Sequence, residues 1–377
     1  MGKTKLSLIT IAMLSASTFA QAETDLKTTG QAVAYYQTMD SSGAADLFDN
    51  GANSRANVGL QVKTAGELVG GIEIGVKGTV LSTLGLDQKV IGKSMQTANS
   101  GEFDGAMISE AYVKKMEGNT KLTIGRQELP KSVSPFAFSE GWNLFKNTFD
   151  AAVACNKDIK DTKVIAAYVS KGNGALVKTP GLVDLGNFKK LGEDGAYMLT
   201  IANTSSKMFQ PTATYYKVSE SDYVWGDLKI NPSIPVKFGL QGGQADKTKA
   251  LGAQAVGKLG PVKTILAYTK VGKGTAKVHN LGTGVKTPLY TQMILNQGAI
   301  KTDNDTVMLK GITKAGPGKL IAMYASTKSD SAGDYGELDV IYKFDLLGTK
   351  MLAAYVMQDF EKKDTNNMLR VWSRYNF

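Results

Sequence analysis

The chain has 377 residues, with 41 glycines, 15 tyrosines, 13 phenylalanines, 9 prolines and one cysteine, and it carries a formal charge of +10. A single thiol excludes an internal disulfide framework, and lysines scattered singly through alternating segments exclude the clustered basic patch of a nucleic-acid-binding protein. Abundant glycine and aromatics with little proline suit an all-β chain of many strands and tight turns.

At the N-terminus Lys3 and Lys5 precede an apolar run from Leu6 to Phe19, then Ala20-Gln21-Ala22. A charged head, a short apolar centre and a small-x-small exit describe a secretory signal peptide; the run falls short of the roughly 20 residues a helical span needs. Cleavage is expected after Ala22, leaving one domain over 23–377. Beyond it, charged or polar residues interrupt every apolar run before helix-span length, so the mature chain is soluble outside the inner membrane or a β-barrel.

From Lys27 the chain alternates with a period of two. Ala56, Val58, Leu60 and Val62 oppose Arg55, Asn57, Gln61 and Lys63; Ile72, Ile74, Val76 and Val80 oppose Glu73, Lys77 and Thr79. Val236, Phe238 and Leu240 against Lys237 and Gln241, and Leu338, Val340, Tyr342 and Phe344 against Glu337, Asp339 and Lys343, repeat the pattern. Strands are predicted at 27–38, 54–65, 69–82, 105–117, 120–127, 148–157, 162–171, 195–204, 207–218, 222–230, 234–245, 248–258, 261–272, 305–315, 318–328, 335–345, 349–360 and 366–377. Every second connection is short, and the long ones (39–53, 83–104, 128–147, 172–194, 273–304) all fall between. A Greek-key sandwich gives no reason for this alternation, whereas a transmembrane antiparallel up-and-down β-barrel puts short turns at one end and long loops at the other. Eighteen strands, with sixteen as the alternative, is an even number that lets the first strand pair antiparallel with the last.

The central stretch carries the most information. Glu110-Ala111-Tyr112 leads to Gly125-Arg126-Gln127, then to an aromatic connection and to Phe149-Asp150-Ala151-Ala152-Val153. This succession resembles the OprD-type porins and the related major outer membrane porins of epsilonproteobacteria. The resemblance implies an eighteen-stranded water-filled pore whose third loop, 128–147, folds inward as a constriction carrying Glu128, Lys131, Glu140 and Trp142. Arg55, Lys63, Lys77, Glu110, Lys114, Arg370 and Arg374 are the expected lining, with Lys237, Glu73, Asp150, Asp227 and Asp339 on the same faces. Arg126 is added as a pore residue although it shares parity with Leu122 and Ile124; otherwise it sits above the hydrocarbon band.

The sequence departs from the OprD pattern in having only four arginines, Arg55, Arg126, Arg370 and Arg374, and inward faces of mixed sign. Passive diffusion of ions and small hydrophilic solutes is therefore the leading reading. A selective channel for small carboxylate or amino-acid-like nutrients and a non-conducting adhesin or receptor barrel are the alternatives. His279, in the long 273–304 connection, is expected to be solvated, and no nucleophile and base can be assembled, so no enzyme is expected. Cys155 alternates with Phe149, Ala151 and Val153 and reads as a lipid-facing or packed thiol. No cofactor is expected beyond calcium held by loop carboxylates such as Asp46, Asp49, Asp87, Asp104, Asp330 and Asp334.

The last strand puts Leu369, Val371, Tyr375 and Phe377 on one face and Arg370, Trp372 and Arg374 on the other. Its terminal Phe377, with Tyr375, resembles the assembly signal read by the barrel-assembly machinery. Outer-membrane lipid and lipopolysaccharide, ions and small hydrophilic solutes, and further copies in a homotrimer complete the expected partners.

Overall fold

The computed structural model describes residues 25–40, 46–49, 53–87, 90–98, 104–173, 183–361 and 363–377; the expected signal peptide lies outside them. Of the twenty-one strands among these residues, three are two-residue pieces, Gln96–Thr97, Val183–Asp184 and Lys189–Lys190, and the other eighteen form the wall. These are β1 (Lys27–Met39), β2 (Arg55–Val69), β3 (Ile72–Ser82), β4 (Gly105–Glu117), β5 (Thr120–Gln127), β6 (Phe149–Asn156), β7 (Thr162–Gly172), β8 (Ala196–Asn203) and β9 (Phe209–Val218). The second half comprises β10 (Ser221–Ile230), β11 (Lys237–Ala245), β12 (Thr248–Leu259), β13 (Val262–Val271), β14 (Asn304–Ala315), β15 (Gly318–Lys328), β16 (Tyr335–Leu346), β17 (Thr349–Phe360) and β18 (Lys363–Asn376). Each pairs antiparallel with its neighbour in sequence, and β1 pairs with β18 from Gln31↔Asn376 to Met39↔Met368. The sheet is thus closed, and closure leaves no unpaired edge.

Alternation assigns the two faces. Leu60, Val113, Ile124, Leu199, Leu251, Leu309 and Val371 are exposed on the outside, whereas their sequence neighbours turn into the lumen. The packed core lies inside the barrel, because two long-loop-end connections fold inward: L3, residues 128–148, and L7, residues 272–303. Phe136 of L3 is fully buried and stands edge-on to Tyr216, Tyr223 and Trp225, with ring centroids 5.9, 5.3 and 5.6 Å away. Leu144 and Phe145, at the other end of L3, pack with Val33, Tyr35 and Leu81 on the seam side. Met293 of L7 packs on Met308, Ile321, Met323, Ile341 and Leu352.

The ladder shifts register at four places, and two of them bear on the site. Between β3 and β4 Lys77 faces Glu110 but Gly78 faces Ile108, so Ser109 is the extra residue and Glu110 is turned inward. In an unbroken ladder Met107 and Glu110 would have opposite faces; a bulge re-aims the side chains beyond it. The second, between β6 and β7, shifts the register between Asp150 and Ala151.

Strand β6 corrects the placing of Asp150 and decides that of Cys155. Phe149, Ala151, Val153 and Cys155 face the lumen, where Val153 and Cys155 pack against the Phe136 cluster, and Asp150 faces outward. The apolar face of β6 finds its partner in L3, so hydrophobicity does not mark the outer surface there. His279 is likewise no solvated loop residue: it is half-buried, its Nδ1 lies 3.0 Å from Asn280 O, and burial with the nearby Lys301 pushes its pKa down to about 4.

Candidate functional site: a constriction of two loops

Glu140 joins L3 to L7. Its side chain is 3% exposed, and its Oε1 accepts from Asn280 Nδ2 at 2.8 Å, from the Lys286 N–H at 3.0 Å and from the Thr283 hydroxyl; Oε2 accepts from Trp142 Nε1. The Asn280 amide also donates to Phe138 O at 2.7 Å, and the Leu281 N–H donates to Phe136 O at 2.7 Å. A buried carboxylate is tolerable only when donors saturate it, and here four do so. Lys286, also buried, donates from Nζ to Met293 O and Ile294 O at 2.8 Å and stands 5.4 Å from the Trp142 ring centre. Burial pushes its ammonium down to about 8, with Glu140 and Glu337 opposing the fall.

L7 continues to the far wall. The N–H of Ile294 donates to Asp339 Oδ2 at 3.1 Å and that of Leu295 to Glu337 Oε1 at 2.8 Å. Both loops are therefore fixed to each other and to the barrel, and the passage is narrowed by a bridge rather than by one loop. The inward fold of L7 was not read from the sequence; the signal for it was the length of 273–304.

The expected lining residues separate into three groups. On β2–β4 and the start of L3, Lys63 pairs with Glu110 at 2.6 Å, Lys77 pairs with Glu110 and with Glu128 at 3.1 Å, and Lys146 reaches Glu128 at 2.6 Å. Burial raises the Glu128 carboxyl, but Lys77 and Lys146 outweigh it and hold the group below its ordinary range. Lys114 pairs with Glu73, and its Nζ stands 5.8 Å from the Tyr112 ring centre. Lys131 is exposed within the lumen and donates to Thr287 O at 2.9 Å. These residues face the water-filled space, including a cavity of about 530 Å³ bounded by Lys63, Lys77, Glu128, Lys146 and Arg374.

A second group turns inward but lies beneath the loops. Glu140 is one; Arg370, 3% exposed and donating to Gln37 Oε1 at 2.9 Å, is another. Trp142 and Arg55 are half-buried, and the backbone at Arg55 pairs with that at Lys93 of the second long connection. Arg374 is between the groups: it donates to Gln31 Oε1 at 3.1 Å and to Asn143 O at 2.6 Å, yet borders the cavity.

Arg126 is the third case and a correction. It lies on the outer face at the long-loop end of β5, donates to Asp150 Oδ1 at 2.9 Å and to Ile108 O at 2.8 Å, and is covered by the Phe188 ring at 3.7 Å. Parity kept it out of the pore, as its neighbours Leu122 and Ile124 required.

Register brings together basic residues that the sequence reading named singly or not at all. Lys258 pairs with Lys263, Lys314 with Lys319, Lys319 with Lys343, and Lys350 with Arg374. All share the inward parity of Ile265, Ile321, Ile341 and Leu352 and sit at the short-turn end of β12–β18, below the layer on which L7 packs. Among the described residues none of these lysines has an ion pair within 4.0 Å; Asp345, opposite Lys350, is the acid closest in register. Like charges placed directly across a ladder are destabilising, so this ring is a local cost to the fold.

The loop carboxylates are engaged locally: Asp104 accepts from the Thr83 N–H at 3.0 Å, Asp87 from the Thr83 hydroxyl at 2.7 Å, and Asp330 pairs with Lys273 at 3.6 Å. Among the described residues no group of three or more His, Cys, Asp or Glu could hold a metal.

A model of the Gram-negative porin family matches residues 9–365. Among solved structures, the fold is similar to OccK9 (OpdG) of Pseudomonas aeruginosa, with a TM-score of 0.77 and 14% identity over 94% of this chain and 98% of that one. It is similar to OpdK of the same organism, solved with vanillate (0.76, 12%, 94% and 98%), and to OccAB4 of Acinetobacter baumannii (0.74, 13%, 94% and 99%). No curated protein sequence matches the chain significantly.

Proposed function

The chain belongs to the Gram-negative porin family and is an outer-membrane channel for small solutes, and from that premise we propose that it passes small hydrophilic anions, carboxylates among them, in preference to cations. The observation that carries this reading is the ring of register-paired Lys258, Lys263, Lys314, Lys319, Lys343, Lys350 and Arg374 at the periplasmic mouth. Proteins keep locally unfavourable arrangements where function needs them, and a low-dielectric wall of one sign concentrates counter-ions. Across the lumen Lys63, Lys77 and Lys146 are largely neutralised by Glu110 and Glu128, so the net field comes from the ring. Vanillate, present in the OpdK structure, is a small carboxylate of the class such a ring would draw.

Reversal potentials in a salt gradient across a planar bilayer test this. Anion preference supports it, and cation preference overturns the sign while leaving the channel itself intact. A channel without stepwise conductance would instead favour the adhesin alternative.

The outward partners follow from the exterior. The apolar belt suits lipid, and outward lysines at the long-loop rim, Lys217, Lys249 and Lys270, suit lipopolysaccharide phosphates. In a homotrimer part of the belt would meet a neighbouring copy, which chemical cross-linking would detect. Phe377 and Tyr375 are the proposed assembly signal.

A further inference from the structure

Glu337 and Asp339 stand two residues apart on the inward face of β16, and both are fully buried beneath L7. The L7 backbone reaches each of them, from the Leu295 N–H to Glu337 Oε1 and from the Ile294 N–H to Asp339 Oδ2. The Tyr335 hydroxyl, which accepts from Gln358 Nε2 at 2.7 Å, donates to Glu337 Oε2. Asp339 Oδ1 has no partner. Among the described residues no cation lies within 4.0 Å of either carboxyl. Across the ladder Asp339 faces Met323 and Val356, and Glu337 faces Ala325 and Gln358. Lys310 of β14 lies on the far side of Met323; on β18, Met368 and Asn366 extend the same rows, and Arg370 is taken by Gln37. From L7 itself, Lys286 turns Nζ to the Met293 and Ile294 carbonyls and to Gln297 Oε1 at 3.1 Å.

Two neighbouring carboxyls, buried and without a cation, do not both carry charge. Donors meet both oxygens of Glu337, which makes it the charged member; Asp339 Oδ1, the oxygen without a donor, is where a proton fits. We propose that the pair is a proton-operated latch: L7 docks with one proton held by Glu337 and Asp339, and lifts from β14–β17 when that proton leaves. Lifting would draw Met293 off Met308, Ile321 and Met323 and widen the passage on that side of the bridge. With L7 undocked, both carboxyls would meet lumen water, where such groups give up their protons near pH 4. Above that pH docking takes up a proton, so the docked state loses ground as pH rises, by up to about tenfold per unit, until the docked pair is itself deprotonated. The inference rests on the chain being a channel and concerns how its aperture is held, not which ions it prefers.

The experiment compares wild-type protein with Asp339→Asn from about pH 5 to about pH 7, where Lys131 and Lys286, at about 8, keep their protons. Asparagine has the shape of the protonated acid, still accepts from the Ile294 N–H, and leaves every other titrating group in place, His279 of L7 among them. Docking is read twice: as the ratio of wide to narrow current levels in a planar bilayer, and as protection of the Met293, Ile294 and Leu295 amides, corrected for the base-catalysed exchange rate. Relative to Asp339→Asn, the wild type should lose docking by up to about tenfold per pH unit. Met323→Lys sets a cation directly across the ladder from Asp339, makes the second charge tolerable, and should remove the slope with both carboxyls present. Equal pH dependence of wild type and Asp339→Asn overturns the proposal, as does a Met323→Lys protein that keeps the wild-type slope. A protein that shows the exchange difference but does not conduct would keep the latch and lose the channel reading, so the two failures are distinguishable.

Discussion

Phe377 closes over Gly30. The Phe377 N–H donates to Gly30 O at 3.0 Å, the Gly30 N–H donates to Phe377 O at 2.6 Å, and the ring occupies the space a Gly30 side chain would need, 2.1 Å from Cζ to a Cβ. The last residue of the chain is thereby fitted to the fourth residue of the first strand, across the seam. Gly30→Val should displace the ring, and Phe377→Ala should remove it. Because both act on one contact, their costs should be non-additive by roughly 1 kcal/mol in a double-mutant cycle read from heat-modifiable gel mobility. Strict additivity would show that the ring contributes nothing to the seam.

Glu140→Gln retains the shape of the L3–L7 junction and removes its charge. The amide nitrogen would face donors it cannot accept from, and the junction should weaken by roughly 2–3 kcal/mol. Open-channel current noise should rise, and amide exchange over residues 278–297 should quicken while the wall strands stay protected. An unaltered exchange pattern would mean that the apolar contacts of Phe136 and Met293 hold the bridge by themselves.

The lysine ring and the buried arginine give opposite expectations. Replacing Lys319 and Lys343 together by glutamate should move the anion-to-cation permeability ratio about threefold or more toward cations with the barrel intact. Arg370→Glu should chiefly impair folding, since its carboxylate would be buried against Gln37, and Arg374→Glu should alter selectivity and loosen L3 at Asn143. Equal selectivity shifts from Arg370→Glu and Lys319→Glu would contradict the burial described above.

Two loop lysines, Lys131 and Lys286, each have a pKa depressed to about 8. Both hold their proton below that value and lose it above, whereas in the unfolded chain they would hold it to about 10.5. Between those limits the unfolded form binds more protons, so the loops should become more stable as pH rises through this window. Conduction changes in the opposite direction for anions: neutralising Lys131 should lower anion preference as pH passes 8. Lys131→Met should flatten that step, and Lys286→Met should flatten the stability gain, read as current noise from pH 7 to 10.

The wall was legible in the sequence because its two signals are local. Alternation places Leu338, Val340 and Tyr342 outward without knowledge of any partner, and Gly118-Asn119 or Gly316-Pro317 mark turns by their own chemistry. What failed was what depends on register or on a distant loop. Each ring lysine ends its own strand in isolation, and only the pairing of Lys319 with Lys343 makes a field of them. Asp150 was turned to the wrong side, and Cys155 was left open between lipid and packing, because an apolar strand face in a porin ordinarily meets lipid, whereas here L3 covers it from within. The inward turn of Glu110 depends on the bulge at Ser109, which no local pattern announces.

The junction at Glu140 joins residues 140 positions apart. L3 belongs to the β5–β6 pair and L7 to the β13–β14 pair, so neither can set the aperture until most of the wall exists. A barrel completed strand by strand would therefore pass through a wide, unguarded state, and its permeability would fall late, when L7 docks. Membrane leakage during assembly, followed by sealing, is the kinetic trace this topology should leave.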